Sequence, residues 1–274
     1  MFFRSVVEHS YFAPDQGNPL VIAHRGGAGL WPENTIYAFE RSAEMGVDVL
    51  ETEIYSTADS ALVLMHDSTV DRTTDGTGSI NDFTVQTLKE LDAGYTWTPD
   101  GGETFPFRGR GISVPTLQEV FTAFPNMRIN IDIKQVEPPL AVVLCDTIRT
   151  FGMADKVLVA SFNWKAIGEF RRECPEVATS ACVMEVSYFF LMNLLFLGSA
   201  HTPVYHALQV PEYRGGIHLL TKRFVDAAHR LNLRVHAWTI NAVQDMQRLL
   251  SLGVDGIITD YPDRLISLLG GSRQ

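Results

Sequence analysis

The stretch VIAHRGGAGLWPENTIYAFERSAEMGVDVLETEIYS, residues 21–56, decides the fold. Apolar runs over residues 20–24 and 47–55 predict two strands, and residues 34–46 between them have a helical pattern. A strand, a helix and a second strand in this order are typical of a parallel sheet. The same stretch carries charged residues inside its strands, and such residues need partners if they are buried.

Nine apolar runs along the chain predict strands, with helical patterns between most of them, for example over residues 115–124 and 221–232. The runs are 20–24, 47–55, 61–66, 128–134, 156–162, 177–184, 206–210, 233–240 and 256–260. Only the segment STADS separates the second run from the third, whereas a parallel crossover needs roughly a dozen residues or more. We therefore predict an antiparallel hairpin there and eight parallel strands, which form a single (β/α)8 TIM barrel.

The predicted barrel is one domain over residues 1–274, with an insertion over residues 56–114 after strand two. This insertion is rich in Gly, Thr and Asp, and long loops inside compact domains are usually functional or disordered. In a barrel it leaves the carboxyl end of its strand, which is the catalytic face of this fold. A second distinctive feature is the apolar segment 186–200.

Composition restricts the classes of function. The net charge of −10 opposes a nucleic-acid partner and long-range attraction to anionic lipid. The three cysteines are few and odd in number, which predicts buried thiols and not a disulfide framework. The amino terminus lacks the sustained apolar run of a secretory signal, and no window reaches the roughly 20 apolar residues of a spanning helix. We expect a protein that is cytoplasmic or peripheral to a membrane.

Alternation along the strands gathers polar side chains on one face. Successive residues of a strand point to opposite faces, so Glu51 and Glu53 share a face, as do Asp132 and Lys134 in the run 128–134. The apolar residues between them suit the surface that faces the helices. The polar sets are therefore expected inside the barrel, near the carboxyl ends of the strands.

Three carboxylates, those of Glu51, Glu53 and Asp132, are thereby predicted to converge. Converging carboxylates repel one another and raise each other's pKa. A hard divalent cation, Mg²⁺ or Ca²⁺, removes this conflict because it takes oxygen ligands from carboxylates. We predict a metal site with these three residues as ligands.

Two histidines and two cations accompany the predicted metal site. Arg25 and Lys134 beside an oxygen-ligated metal indicate phosphate binding, and His24 and His66 beside a phosphate indicate a general base and a general acid. Taken singly, each motif has an ordinary explanation as a core or surface histidine, a solvated face or a salt bridge. Their joint occurrence at the ends of neighbouring strands favours a functional site.

These motifs resemble those of the glycerophosphodiester phosphodiesterase family. HRG, PENT, E-x-E, HD and RTT-x-G-x-G follow in order from His24 to Gly78, and INIDIK, HAWTIN and GVDGIITDYP follow later in the chain. The resemblance implies a barrel with a metal at its mouth, and hydrolysis of a phosphodiester to an alcohol and a phosphomonoester. For glycerol esters it also allows the 2-hydroxyl of the substrate to attack first, which gives a cyclic phosphate.

The resemblance implies a role for each matching residue. It implies His24 and His66 as the acid–base pair, Arg25 and Lys134 as phosphate binders, Glu51, Glu53 and Asp132 as metal ligands, and Trp238 as a residue of the substrate pocket. The family usually has Asp where Glu53 stands and often Glu where Asp132 stands. Both exchanges keep a carboxylate but change its reach, which bears on metal preference. The sequence does not decide which histidine is the acid and which the base.

The apolar segment 186–200 bears on the substrate. It is either a buried barrel helix or a helix that faces a second layer of protein or lipid. With VPTLQEVFTAFPNMRINIDIK it resembles the lysophospholipase D-type branch of the family, which implies a lysophospholipid substrate and peripheral membrane contact through residues 186–200. Two alternatives stay open. One is a soluble glycerophosphodiesterase that releases glycerol 3-phosphate from small-molecule substrates, and the other is a non-catalytic lipid- or phosphodiester-binding protein.

Overall fold

A ring of parallel strands forms the centre of the protein. The structure, a computed structural model, describes residues 6–15, 18–195, 197 and 202–270. Its strands are β1 (Leu20–Ala23), β2 (Val49–Ser56), β3 (Leu62–Leu64), β4 (Arg128–Ile133), β5 (Val157–Ala160), β6 (Ala178–Thr179), β7 (Ala207–Pro211), β8 (Tyr213–Arg214), β9 (Ile217–His218), β10 (Arg234–Trp238) and β11 (Gly256–Thr259).

The order of the strands confirms the predicted (β/α)8 TIM barrel. Eight strands are joined in parallel in the order β6-β5-β4-β2-β1-β11-β10-β7. A parallel bridge from Ser180 to Ala207 connects the two ends of this order. Strand β3 pairs antiparallel with β2, so the predicted hairpin is also confirmed.

Helices follow most of the strands and cover the barrel. They are α1 (Ile36–Met45), α2 (Val85–Leu88), α3 (Leu117–Ala123), α4 (Ala141–Thr150), α5 (Trp164–Glu173), α6 (Val183–Leu194), α7 (Lys222–Arg230), α8 (Val243–Leu252) and α9 (Pro262–Leu268). Helix α1 begins where the Thr35 hydroxyl accepts a hydrogen bond from the Ala38 N–H. It ends at Gly46, whose φ of 89° suits a residue without a Cβ.

The strand residues alternate between two apolar layers, as the sequence predicts. Outward-facing residues such as Leu50 and Ile131 join the large core between the barrel and its helices. Inward-facing residues such as Ile22 join a smaller cluster within the barrel, which Tyr11 and Phe12 complete at the amino end of the strands. The Arg128 guanidinium, on the first residue of β4, donates to the Tyr11 carbonyl and holds this segment in place.

The predicted strand 177–184 is shorter in the structure, because helix α6 begins within it. The run 177–184 is a strand only over Ala178–Thr179, and its last two residues already belong to α6. A short apolar run does not by itself distinguish a strand from a buried helix.

On α6, Phe189 is buried edge-on against Phe224 at a centroid distance of 5.0 Å, whereas the outer side of the helix is exposed. Residues 196 and 198–200 of the predicted segment lie outside the described residues.

None of the helices in the described ranges is long and apolar enough to cross a membrane.

The cysteines correct a second expectation. Cys145 on α4 and Cys174 after α5 form a disulfide, with their Cα atoms 5.6 Å apart. The prediction of buried thiols is therefore wrong for this pair, because the sequence does not show that the packing of α4 and α5 brings together two cysteines 29 positions apart in the chain. Cys182 is a buried free thiol, as predicted.

The insertion folds over the carboxyl end of the barrel. It contains β3, a 3₁₀ turn at Ile80–Asp82 and α2, which share a small apolar cluster of their own with Val63, Ile80 and Leu88 at its centre. The Trp97 indole N–H donates to the Ala28 carbonyl over 3.1 Å. This bond ties the insertion to the loop that follows β1.

Candidate active site

The eight candidate residues of the sequence line one pocket at the carboxyl ends of the strands. The cavity measures about 210 Å³. The candidates in its wall are His24, Arg25, Glu51, Glu53, His66, Asp132, Lys134 and Trp238. Strand alternation therefore placed the polar sets correctly, because the residues between them lie in the outer core. What each residue does in this pocket stays a prediction.

A strained turn at the end of β1 presents the first two candidates. Arg25 has a φ of 50°, and Gly26 and Gly27 follow with φ of 78° and 89°. A Cβ on Gly26 would lie 2.5 Å from the Phe39 ring, so this position accepts only glycine. Unfavourable backbone conformations of this kind often mark functional sites. Here the turn directs the Arg25 backbone N–H at Oε2 of Glu51, 2.9 Å away.

Strands β2 and β4 bring the carboxylates together. Glu53 lies opposite Asp132 in their register, and both side chains are buried, as is Glu51. Burial, and after it the neighbouring Glu53 carboxylate, raise the pKa of Glu51 to about 7. Burial also raises the pKa of Asp132. Negative charge is therefore unfavourable at this point until a cation accompanies it.

The donor atoms fit a divalent cation. Oxygens of Glu51 and Glu53 and a ring nitrogen of His24 lie within 4.8 Å of one another. Nearby, Oδ1 of Asp132 and Oδ1 of Asn130 are buried without a hydrogen-bond partner in the described part of the chain. Buried acceptors that lack donors and carboxylates that repel one another are the features that a hard, oxygen-ligated cation satisfies.

Two cations are held against these carboxylates. The Arg25 Nε donates to Oε1 of Glu53 over 3.0 Å, and the Lys134 ammonium lies 2.8 Å from Oδ2 of Asp132 and 3.8 Å from Oε1 of Glu53. The Asn34 amide donates to the other oxygen of Glu53 over 2.9 Å. Both cations are thus fixed in the wall of the pocket, where an anionic ligand can meet them.

His24 has a carboxylate partner. Its Nδ1 lies 2.6 Å from Oδ1 of Asp260, the residue after β11, and Oδ2 of Asp260 accepts from the Asn241 amide over 2.7 Å. Burial opposes charge on the imidazole, but the carboxylates of Glu51 and Asp260 outweigh it and raise the pKa of His24. Because Nδ1 is engaged, Nε2 is the ring nitrogen left for a ligand.

His66, two residues after the end of β3, has a similar arrangement. Its Nδ1 lies 2.7 Å from Oδ1 of Asp67, whose other oxygen accepts from Nε of Arg72. Arg72 also donates to both carboxylate oxygens of Glu33, over 2.9 and 2.7 Å. Glu33 in turn accepts from the Arg25 guanidinium over 3.0 Å, which links His66 to Arg25.

Aromatic side chains complete one wall. The rings of Phe162 and Trp238 meet edge to face at 5.6 Å, and the Lys134 ammonium lies 5.3 Å from the centre of the Phe162 ring. Phe162 is half exposed although it is a large apolar residue. An exposed aromatic surface beside polar groups suits the carbon skeleton of a small polar ligand.

Four charged residues of this network were not predicted from the sequence. They are Asp260, Asp67, Arg72 and Glu33, each of which lies within a motif quoted above but was given no role. The position of Asp260 near His24 could have been predicted from the topology of the barrel. In a closed barrel the last strand adjoins the first, so the residue after β11 must lie near the residue after β1.

Fold and pocket together define a class of protein. It is a (β/α)8 barrel with two histidines, convergent carboxylates and two cationic side chains at the carboxyl end of its strands. The chain belongs to the glycerophosphoryl diester phosphodiesterase family, whose model matches residues 24–264.

Individual relatives agree with this assignment. The chain is 34% identical over 259 residues to a glycerophosphodiester phosphodiesterase of Caldanaerobacter subterraneus subsp. tengcongensis, covering 91% of this chain and 97% of the relative. A crystal structure of a family protein from Silicibacter pomeroyi superposes with a TM-score of 0.78 at 26% identity, over 96% of this chain and 97% of the other. An Oleispira antarctica phosphodiesterase, solved with the product sn-glycerol-3-phosphate, shares the fold with a TM-score of 0.72 at 24% identity, over 92% of this chain and 96% of the other.

Proposed function

We propose that this protein is a metal-dependent phosphodiester hydrolase that cleaves glycerophosphodiesters into glycerol 3-phosphate and the head-group alcohol. The observation that carries the proposal is the pair of histidines, each bound to a carboxylate through Nδ1, in a pocket that also holds convergent carboxylates and two cations. The Caldanaerobacter relative is a glycerophosphodiester phosphodiesterase, and the Oleispira protein was solved with sn-glycerol-3-phosphate; both support this substrate class.

Arg25 and Lys134 are proposed to bind the phosphoryl oxygens. Each already lies against a carboxylate, so the positions of both are fixed before the substrate arrives. Charge-assisted hydrogen bonds to phosphate are among the stronger polar contacts in proteins. Such prearranged donors stabilise charge that develops on the phosphoryl group during the reaction.

His24 and His66 are proposed to move the protons. One imidazole accepts a proton from the attacking oxygen through Nε2, and the other donates a proton to the oxygen of the departing alcohol. Asp260 and Asp67 fix the orientation of the two rings and leave Nε2 of each directed to the reaction. Proton transfer by a positioned side chain contributes about 10²–10⁴-fold to a rate.

Glu51, Glu53 and Asp132 are the proposed ligands of a divalent cation, Mg²⁺ or Ca²⁺. When bound, this cation supplies Lewis-acid stabilisation of the phosphoryl oxygens. Strands β2 and β4 fix the register of these three residues, and Arg25, Asn34 and Lys134 hydrogen-bond to the carboxylates of Glu51, Glu53 and Asp132.

The proposal is tested by release of glycerol 3-phosphate from glycerophosphocholine with Mg²⁺ or Ca²⁺ added. His24→Ala and His66→Ala are each expected to lower kcat by at least about 10²-fold with the fold retained, and a chelator is expected to abolish turnover. His229→Ala, a half-exposed histidine of α7 that contacts Asp255, is the matched control. Near-wild-type turnover in either pocket variant contradicts the assignment, and a complete lack of turnover favours a binding protein.

A second candidate substrate is a lysophospholipid, which the outer surface of α6 favours. Val183 and Val186 of this helix line the pocket, while Met184, Leu191 and Leu194 point outward and are more than half exposed. A cavity of about 210 Å³ is smaller than the roughly 300–1,000 Å³ of typical drug-sized ligand sites. A long acyl chain would therefore extend beyond the cavity, and the exposed apolar residues of α6 offer it, or a lipid surface, a place to lie.

Choline release from lysophosphatidylcholine, compared with glycerol 3-phosphate release from glycerophosphocholine, separates the two substrates. Leu191→Ser and Leu194→Ser are expected to weaken sedimentation with phosphatidylcholine vesicles and to lower turnover of the lysolipid alone. Val142→Ser, an equally exposed valine on α4, is the control. A strong preference for the deacylated substrate contradicts the lysolipid candidate and leaves the phosphodiesterase proposal intact.

A further inference from the structure

We propose that Arg214 binds a carboxylate on the head group of the substrate, so that the enzyme prefers glycerophosphodiesters of a hydroxy amino acid such as serine. The inference rests on the proposed function, because it names the head-group class for the same pocket. Arg214 lies on β8, in the short hairpin that follows β7, and its side chain lines the pocket.

The barrel places Arg214 across the pocket from the phosphate-binding side. In the ring of eight strands, β7 is four places from β2 in either direction, so the two strands face each other. The carboxylates and the two phosphate-binding cations belong to β1, β2 and β4 or to the residues that directly follow them. A diester whose phosphate lies there can extend one ester arm across the cavity to β7 and Arg214.

The hairpin that carries Arg214 is a regular antiparallel structure. Strands β8 and β9 pair antiparallel, with Tyr213 opposite His218. Their rings stack at 4.5 Å with planes 14° apart. Gly215 and Gly216 form the turn with φ of 55° and 81°, a geometry that glycine adopts without strain. Tyr213 and Arg214 are consecutive on a strand, so their side chains point to opposite faces.

Arg214 has no counter-ion within the described part of the chain. The nearest acid along the sequence, Glu212, is nine-tenths buried, and both of its oxygens accept from the guanidinium of Arg248. Arg25 and Lys134, by contrast, each pair with a carboxylate of the site. An exposed arginine is commonly solvated, but an arginine in a pocket wall loses water when a ligand fills the pocket, and it then needs an anion.

The geometry of the Arg214 guanidinium favours a carboxylate as this anion. Its planar fork matches the two oxygens of a carboxylate, which gives paired charge-assisted hydrogen bonds. Choline and ethanolamine head groups carry no carboxylate, so they offer Arg214 no counter-ion. A serine head group differs from ethanolamine by one carboxylate, so the two esters form a matched pair for testing the residue.

The test compares kcat/KM for glycerophosphoserine and glycerophosphoethanolamine, with the full chain and with Mg²⁺ or Ca²⁺ added. We expect the wild type to favour the serine ester about tenfold, which corresponds to one good polar contact. Arg214→Gln is expected to lower kcat/KM for the serine ester about tenfold and to change that for the ethanolamine ester less than twofold. Arg230→Gln removes the same charge from the exposed end of α7, far from the pocket lining, and is the control.

Each outcome of this comparison supports or contradicts the role of Arg214. Selective loss of the serine ester in Arg214→Gln, and not in Arg230→Gln, supports the inference. An equal effect on both esters, or on neither, contradicts the role of Arg214 while glycerophosphodiester hydrolysis stands. If the wild type turns over neither ester, the proposed function itself fails and the inference fails with it.

Discussion

Nδ1 of His24 lies 2.6 Å from Oδ1 of Asp260, although 236 positions separate the two residues in the chain. The barrel creates this contact by pairing its first strand with its last. The carboxylate fixes the tautomer and the orientation of the ring, in the way that a third residue positions the base in catalytic triads. We therefore propose Asp260 as a positioning residue, whose effect on the reaction is transmitted through His24.

Asp260→Asn is expected to lower kcat about 10²-fold with KM nearly unchanged, because the amide cannot hold the same tautomer. Steady-state kinetics on glycerophosphocholine measure the effect, and circular dichroism confirms the fold. Asp155→Asn, an exposed aspartate before β5, is the control. A change in KM with kcat unchanged would show that Asp260 contacts the substrate and does not act through His24.

Arg72 and Glu33 are expected to act as one unit. Arg72 joins Asp67 to Glu33, and Glu33 joins Arg72 to Arg25. Because Arg72 is about half exposed, solvent screens these bonds, and we expect Arg72→Gln and Glu33→Gln each to lower kcat by about threefold to tenfold. Both substitutions break the same chain of contacts, so the double variant should be little worse than either single one. Multiplied effects in the double variant argue against a shared network.

Reduction of the disulfide between Cys145 and Cys174 is expected to lower the free energy of unfolding by about 3.5 kcal/mol, from the chain entropy of a loop of this length. Denaturant unfolding with and without reductant measures the difference. Thiol titration of the unfolded, unreduced protein should find one thiol, that of Cys182, and three after reduction. Three thiols before reduction contradict the disulfide.

His236 is expected to make stability depend on pH. Burial lowers the pKa of this fully buried imidazole to about 4, whereas the unfolded chain titrates near 6.5. The unfolded state therefore binds the proton first as the pH falls below 6.5. From this residue alone the free energy of unfolding should fall by about 2 kcal/mol between pH 7 and pH 5.

Urea unfolding of the wild type and of His236→Gln at both pH values measures this dependence, which should be smaller in the variant. His229 is expected to have the opposite effect on the pH dependence of the free energy of unfolding. Its hydrogen bond to Asp255 raises its pKa, so its stabilisation is present at pH 5 and is lost as the pH rises through the folded pKa. His229→Gln should therefore steepen the fall in stability between pH 7 and pH 5. An unchanged slope in His236→Gln contradicts the prediction.

The sequence predicted much of the barrel and the first layer of the site, for a physical reason. Strand alternation has a period of two, so a polar residue at every second position of a buried strand can point only into the barrel. Glu51, Glu53 and Asp132 follow from this rule with no knowledge of the helices. The hairpin of β2 and β3 follows from chain length, because too few residues connect the two strands for a crossover.

Contacts between distant segments could not be predicted in the same way. Asp67, Arg72 and Glu33 lie in turns, where no periodicity relates one side chain to another, and the disulfide depends on how α4 and α5 align. The hairpin of β8 and β9 has strands of two residues, too short for any alternation to register. The end of the strand 177–184 was misplaced because an unbroken apolar run fits a strand and a helix equally well.

Tyr11 and Phe12 pack with the inward-facing residues at the amino end of the strands, whereas the pocket lies at the carboxyl end. Within the described part of the chain, a ligand that enters the pocket therefore leaves through the opening by which it came. Under the proposed function, the phosphomonoester product carries more negative charge than the diester and passes Arg25 and Lys134 as it departs. Product release and substrate entry would then share one opening, so a product molecule that has not yet left blocks the next substrate.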